Sequence, residues 1–418
     1  MKALLFMFFT FVPLLLSAQQ VLTLEECYGL AERNYPLARQ TDLLEERSKS
    51  EVNIINKEKL PQLNLNAQAT YQSDVIQFPI QMPGVTVEPP NNDQYRASLD
   101  VNQLIYHGGS IEANTNLKKA ELQTQQQQVV VNLYSLRTII NQNYFSVLLF
   151  QEQAKQQISK KEQLQARLNE IDSGVKYGAV LPSTSQLLQA EILKLEQQLS
   201  ETEHNRKSAL DKLASLLSKN LDSDTFLAKP EILIITDNVS NRPELKLFEM
   251  QQNQLQTSKE VISKTNYPRL SGFAQAGFGN PGLNMLDNSF QDFYMAGLKL
   301  NWNILDWGKA KERKQAVDIS QEIVSTEKET FVLNNNIQLD EAKNNINKYE
   351  EMLQKDTEII NLRQQVLEAT TSQFQNGAIR SSEYITELNN LYEARITKEL
   401  HSTQLSLAKA NYKVIKGD

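Results

Sequence analysis

The chain has 418 residues, enough for two or three ordinary domains or one very elongated one. Its net charge of -7 argues against a nucleic-acid-binding surface, and aromatic residues at 7% are lean for one large compact core. One cysteine and three histidines exclude an intramolecular disulfide and leave little for a metal cage; Cys27 reads as a small apolar residue on a helix face.

Residues 1–19 read as a signal peptide. Lys2 carries the positive charge, Ala3 to Leu16 form the apolar run, and Ser17-Ala18 precede the cut. No later segment approaches 18 consecutive apolar residues, so no membrane-spanning helix is expected in the mature chain. A first helix is expected from Leu24 to Lys59, ended by Pro61. From Gln62 to Tyr71, apolar Leu63, Leu65, Ala67, Ala69 and Tyr71 alternate with polar residues, and a second alternation starts at Tyr95. Such alternation over about ten residues suits a tilted strand of an outer-membrane barrel and equally a half-buried strand in a soluble sheet. Ser73 to Gln94, carrying four prolines, would be the loop joining them.

Ser110 to Ser173 then contains neither glycine nor proline. A second such stretch runs from Lys309 to Asn376. Each is between about 60 and 70 residues and would make a helix of roughly 100 Å. Val129, Leu133, Leu136, Ile140 and Val147 follow coiled-coil spacing in the first, and Ile346, Tyr349 and Leu353 in the second. Return helices are expected at Ser183–Leu217 and Ser382–Lys416.

This order is written twice. Gly178-Ala179-Val180 matches Gly377-Ala378-Ile379, 199 positions on, and the same offset pairs Gly109 with Gly308 and Tyr95 with Tyr294. The second copy has a helix from Arg242 to Thr265 and weaker strand patterns from Leu270 and from Tyr294. The expected organisation is a first repeat at 20–217, a linker at 218–241 and a second repeat at 242–418. The expected fold is mixed α and β, predominantly α. Four strands cannot close a barrel around a channel, so a barrel would have to be shared between subunits.

At this point the chain resembles the TolC family of outer-membrane efflux proteins. The resemblance rests on Leu22-Thr23-Leu24-Glu25-Glu26, on Leu60-Pro61-Gln62-Leu63, and on the strand-to-helix junctions Gln103 to Gly109 and Asn303 to Gly308. The tips Tyr177-Gly178 and Phe374-Gln375-Asn376-Gly377 also match. It implies a homotrimer whose long helical hairpins form a periplasmic α-barrel tunnel below a shared 12-strand outer-membrane β-barrel in contact with lipid. It implies a passive duct rather than an enzyme, served by an inner-membrane pump of RND or ABC type and a periplasmic adaptor, for efflux or type I secretion. The adaptor would dock on tip residues Tyr177, Gly178, Ala179, Val180, Phe374, Gly377, Ala378 and Ile379. In some members acidic residues six and nine positions after the second tip glycine line a constriction. Here those positions hold Glu383 and Thr386, with Glu387 adjacent to the latter, and Arg380 could hold the tips closed.

No phosphate loop and no nucleophile elbow occurs, and His107, His204 and His401 lie far apart. No cofactor is expected. A secreted fibrous adhesin or structural coiled coil would share the long helices and the signal peptide, but it leaves the duplicated strand pairs without a purpose.

Overall fold

The computed structural model describes residues 21–76, 89–234 and 240–418. The expected signal peptide, most of the proline-bearing loop and part of the linker lie outside them.

The described residues open with a two-residue strand, β1 (Val21–Leu22), and helix α1 (Leu24–Asn34). Thr23 caps α1 with a reciprocal box: its hydroxyl accepts from the Glu26 amide, and the Glu26 carboxylate accepts from the Thr23 amide. The single helix expected from Leu24 to Lys59 is in fact broken. Pro36 forces Tyr35 into an extended conformation, a 3-10 turn follows at Pro36–Arg39, and α2 runs Gln40–Lys57.

Strands β2 (Gln62–Tyr71) and β3 (Asp93–Tyr106) lead to helix α3 (Ser110–Lys176) and its return, α4 (Pro182–Leu217). A short strand β4 (Phe226–Leu227) pairs in parallel with β1, a contact that no local pattern announces. Then follow α5 (Pro243–Lys264), β5 (Arg269–Asn280), β6 (Gln291–Asn301), α6 (Lys309–Gln375) and α7 (Ser381–Lys416). The two long helices have the same length, 67 residues, and the two return helices 36 each. Helix α3 runs past the glycine-free stretch through Gly174, whose carbonyl serves the turn that ends it.

By contacts the chain forms two compact units, each built from segments distant in sequence. The first comprises residues 21–38, Asn132–Arg242 and Leu333–Asp418. Its main core gathers Cys27 and Ala31 of α1, Ile140, Tyr144, Phe145 and Val147 of α3, and Leu210, Leu213 and Leu217 of α4, all essentially inaccessible or nearly so. The Tyr144 hydroxyl reaches the carbonyls of Leu22 (2.9 Å) and Ala228 (2.5 Å), tying the β1–β4 pair to this core. Burial pushes the Cys27 thiol up to about 12, so it behaves as the small hydrophobe expected.

The second unit comprises Arg39–Val131 and Pro243–Val332. It holds one antiparallel sheet in the order β2-β3-β5-β6. Helices α5 and α6 meet through Phe248 and Phe331, whose ring centroids lie 5.9 Å apart.

Candidate channel-lining and docking sites

Both hairpin tips are built by the same backbone device. After α3, the Gly178 amide donates to the Val175 carbonyl (3.0 Å) and the Ala179 amide to that of Gly174 (2.9 Å). After α6, Gly377 donates to Phe374 (3.0 Å) and Ala378 to Gln373 (2.9 Å). This pair of bonds satisfies orphan carbonyls at a helix end and needs a left-handed residue just past it. Gly178 and Gly377 supply that residue with φ of 74° and 71°.

The tip residues divide by exposure. Tyr177 stands 82% exposed, and Gly178, Ala179, Gly377 and Ala378 are open to solvent. Val180, Ile379 and Phe374 turn inward onto a cluster that includes Leu168, Leu188, Tyr384 and Leu388. The Phe374 ring stacks on Tyr384 at 5.2 Å. A docking surface made by the chain itself would therefore be Tyr177, the two glycine turns and exposed Leu181, with Val180, Ile379 and Phe374 holding it from behind.

Arg380 and Glu383 open α7 and are exposed, and neither makes an ion pair within the chain among the described residues. Glu387 is different. One turn further along α7, it is half-buried and pairs with Arg363 of α6 at 3.2 Å. Its charge is thus committed within the subunit, whereas that of Glu383 is free.

The sequence did not single out the contacts by which α3 meets α7. The Arg167 guanidinium lies over the Tyr384 ring (5.4 Å) and the Lys160 ammonium over Tyr392 (5.8 Å). Lys160 also pairs with Glu191 of α4 at 3.2 Å, and Arg395 covers Tyr392 at 5.6 Å. The signal was available: the two cations are seven residues apart and the two tyrosines eight, spacings that keep each pair on one helix face. His401 also finds a partner, Asp356 of α6 at 2.7 Å, while His204 stays exposed and bonds the Ser200 carbonyl.

In the sheet, the register fixes which residues share a face. Leu65, Leu99, Ala276 and Tyr294 are consecutive cross-strand neighbours, as are Leu63, Val101, Ala274 and Ala296. Away from its ends this face is apolar throughout, and its large residues are uncovered: Leu65 is 77% exposed, Tyr294 85% and Leu298 70%. The opposite face carries Asn64, Asn66, Asp100, Asn102, Gln275 and Lys299 around a hollow of about 670 Å³. Asn66 and Ser98 donate to the Asp100 carboxylate, and Gln275 donates to Ser98 at 3.2 Å. Phe273 faces Gly297 and Phe293 faces Gly277 on this side; a Cβ at Gly277 would lie 2.6 Å from the Phe293 ring. Among the described residues, strands β2 and β6 each pair on one side only.

A sheet that is apolar and uncovered on one face and amide-lined on the other inverts the usual soluble arrangement. The family model for the outer membrane efflux protein matches residues 28–219 and 234–413, which takes in both hairpins and all four long strands. The chain belongs to the outer membrane efflux protein family. Solved relatives of the same fold include the Campylobacter jejuni outer membrane channel CmeC (14% identity, TM-score 0.64, 94% of this chain and 85% of that one). Another is the outer membrane protein VceC from Vibrio cholerae (14%, 0.64, 94% and 96%). A third is the open state of the Neisseria gonorrhoeae outer membrane channel MtrE (14%, 0.62, 94% and 88%). No curated protein matches the sequence individually. Among the described residues no helix is long and apolar enough to cross a membrane. For this efflux family member the sheet is the element suited to lipid.

Proposed function

We propose that this protein is the outer-membrane channel of a tripartite efflux or type I secretion system, a passive duct with its helices in the periplasm. The observation that carries the reading is the four-stranded sheet, with an uncovered apolar face, a polar face and two open edges. Open edges are not tolerated in hydrocarbon, so β2 of one subunit must pair with β6 of the next. Three subunits give twelve strands and a polar lumen; a fibrous adhesin has no use for such a sheet. The exposed Ile319, Ile323, Leu333, Ile337, Ile359 and Leu362 of α6 support the same assembly, since the described residues of one chain leave about half or more of each uncovered.

Within that reading, the two repeats at 20–217 and 242–418 are joined by the linker at 218–241. An RND or ABC pump in the inner membrane supplies the energy, and a periplasmic adaptor docks on Tyr177, Gly178, Ala179, Gly377 and Ala378. Glu383 and Arg380 face the entrance and Glu383 sets its charge; Glu387 acts with Arg363 to hold α6 against α7. The duct itself does no catalysis.

Mild detergent extraction of the outer-membrane fraction, followed by mass measurement and single-channel recording, tests the proposal. Trimers with a stable conductance are expected. A monomer, or protein free in the periplasm, would refute it. Glu383→Gln is expected to lower cation preference at the entrance, and an unchanged reversal potential would remove Glu383 from the constriction.

A further inference from the structure

The two strand-to-helix junctions have diverged, and the second carries a feature the channel reading leaves unused. In the first repeat Gly108-Gly109 makes the turn, both residues in the left-handed region, and a Cβ at Gly108 would lie 2.6 Å from that of Tyr267. In the second the same place is held by Trp307-Gly308. Trp307 has φ of 56°, unfavourable for a bulky side chain, and its indole is 84% exposed. The Asp306 carboxylate clamps the turn: it accepts from the amides of Gly308 (2.9 Å) and Ala310 (3.0 Å) and from the Asn266 side chain (2.6 Å).

Trp307 lies six residues past the end of β6. Leu298, Leu300, Trp302 and Ile304 lead toward it, all more than half exposed. Immediately after it, Lys309, Lys311, Arg313 and Lys314 fall in the first two turns of α6, with Glu312 the one acid among them. The N-terminal end of a helix is its positive pole, and the four cations here outnumber the two acids beside them, Asp306 and Glu312. Lys309, Lys311 and Arg313 are exposed, and none of the four forms an ion pair within the chain among the described residues. The first repeat has no basic residue at the matching start of α3 before Lys118.

We propose that the β6–α6 junction binds anionic phospholipid headgroups at the periplasmic surface of the outer membrane. Trp307 is the interfacial anchor, and Lys309, Lys311 and Arg313 contact the phosphates. Continuity with the lipid-facing strand places the junction at the membrane boundary, where indole rings are favoured, and the basic cluster selects negative headgroups over zwitterionic ones. The proposal rests on the channel reading, because it is the barrel that sets the depth of the junction.

The chain has two tryptophans, so Trp302→Phe leaves Trp307 as the sole indole. This variant, reconstituted in phosphatidylcholine vesicles, is titrated at equal mole fraction with brominated phosphatidylglycerol or brominated phosphatidylcholine. Quenching of Trp307 is expected to be at least about threefold more effective with the anionic lipid, given the attraction of each basic side chain to an anionic surface. The preference should vanish in the triple variant Lys309→Gln/Lys311→Gln/Arg313→Gln and at high salt. Equal quenching by the two lipids would overturn the proposal. A Leu298→Trp reporter on a Trp302→Phe/Trp307→Phe background reads barrel insertion independently. If that reporter is quenched and Trp307 is not, protein covers the junction and the lipid site fails while the channel stands. If neither is quenched, the channel reading fails and the lipid site with it. Trp307→Gly should insert normally, since it restores the residue of the first repeat.

Discussion

At Gly178 and Gly377 the backbone angle alone demands glycine. An added Cβ at either would meet nothing within 4 Å, so space is not the constraint. Alanine at either position is therefore expected to destabilise its hairpin by about 1–2 kcal/mol, through left-handed strain without a clash. Calorimetry of each variant checks this, and a loss confined to the tips should leave the sheet signal unchanged. Asp306 offers a second residue-scale test. Its hydrogen bond from Asn266, then those from the Ala310 and Gly308 amides, hold its carboxyl below the usual carboxylate range. A carboxylate lowered in the folded state stabilises above its unfolded value, about 4, and that contribution is lost as pH falls through the lower folded value. Denaturant melts between about pH 5 and pH 2 should show less pH dependence in Asp306→Asn than in the parent.

At the scale of elements, the sheet tests the assignment of faces most sharply. Arginine in place of Leu65 or Leu298 is expected to cost about 2–4 kcal/mol if those positions lie near the bilayer midplane, and to lower recovery in the outer-membrane fraction. The same substitution at Asn64, on the polar face, should be tolerated. These faces were legible in the sequence because strand alternation has a strict period, and β2 begins and ends where the pattern does. The long helices were legible through the absence of glycine and proline. Two features resisted. Pro36 was visible, yet the helical pattern on both sides of it masked the break between α1 and α2. The β1–β4 pair joins residues some two hundred positions apart through one ladder of two residue pairs, and nothing local marks either strand. Of the candidate sites, the tip turns were readable because glycine at a helix end has a specific geometric meaning. The partner of Glu387 was not, since Arg363 lies on another helix and only packing brings them together.

For the whole molecule, the open edges of β2 and β6 make the decisive prediction. Cysteines introduced one at a time along β2 and along β6, paired in one chain, should yield disulfide-linked trimers on non-reducing gels for the pairs in register. Failure of every pair would mean the edges do not meet. Cys27 does not interfere, because it is the only native thiol, buried and held protonated. The two long helices, equal in length, differ in how they are used. Helix α3 buries Ile140, Tyr144, Phe145, Val147 and Leu164 within its own chain, whereas α6 buries Ala342 and Ile346 and leaves most of its large aliphatics bare. In the proposed trimer the two helices thus divide the work, α3 folding the subunit and α6 meeting its neighbours. A ring of six identical half-length chains would have to give every member both duties. In the proposed trimer, two unlike long helices per chain free each from that compromise, and threefold rather than sixfold symmetry follows.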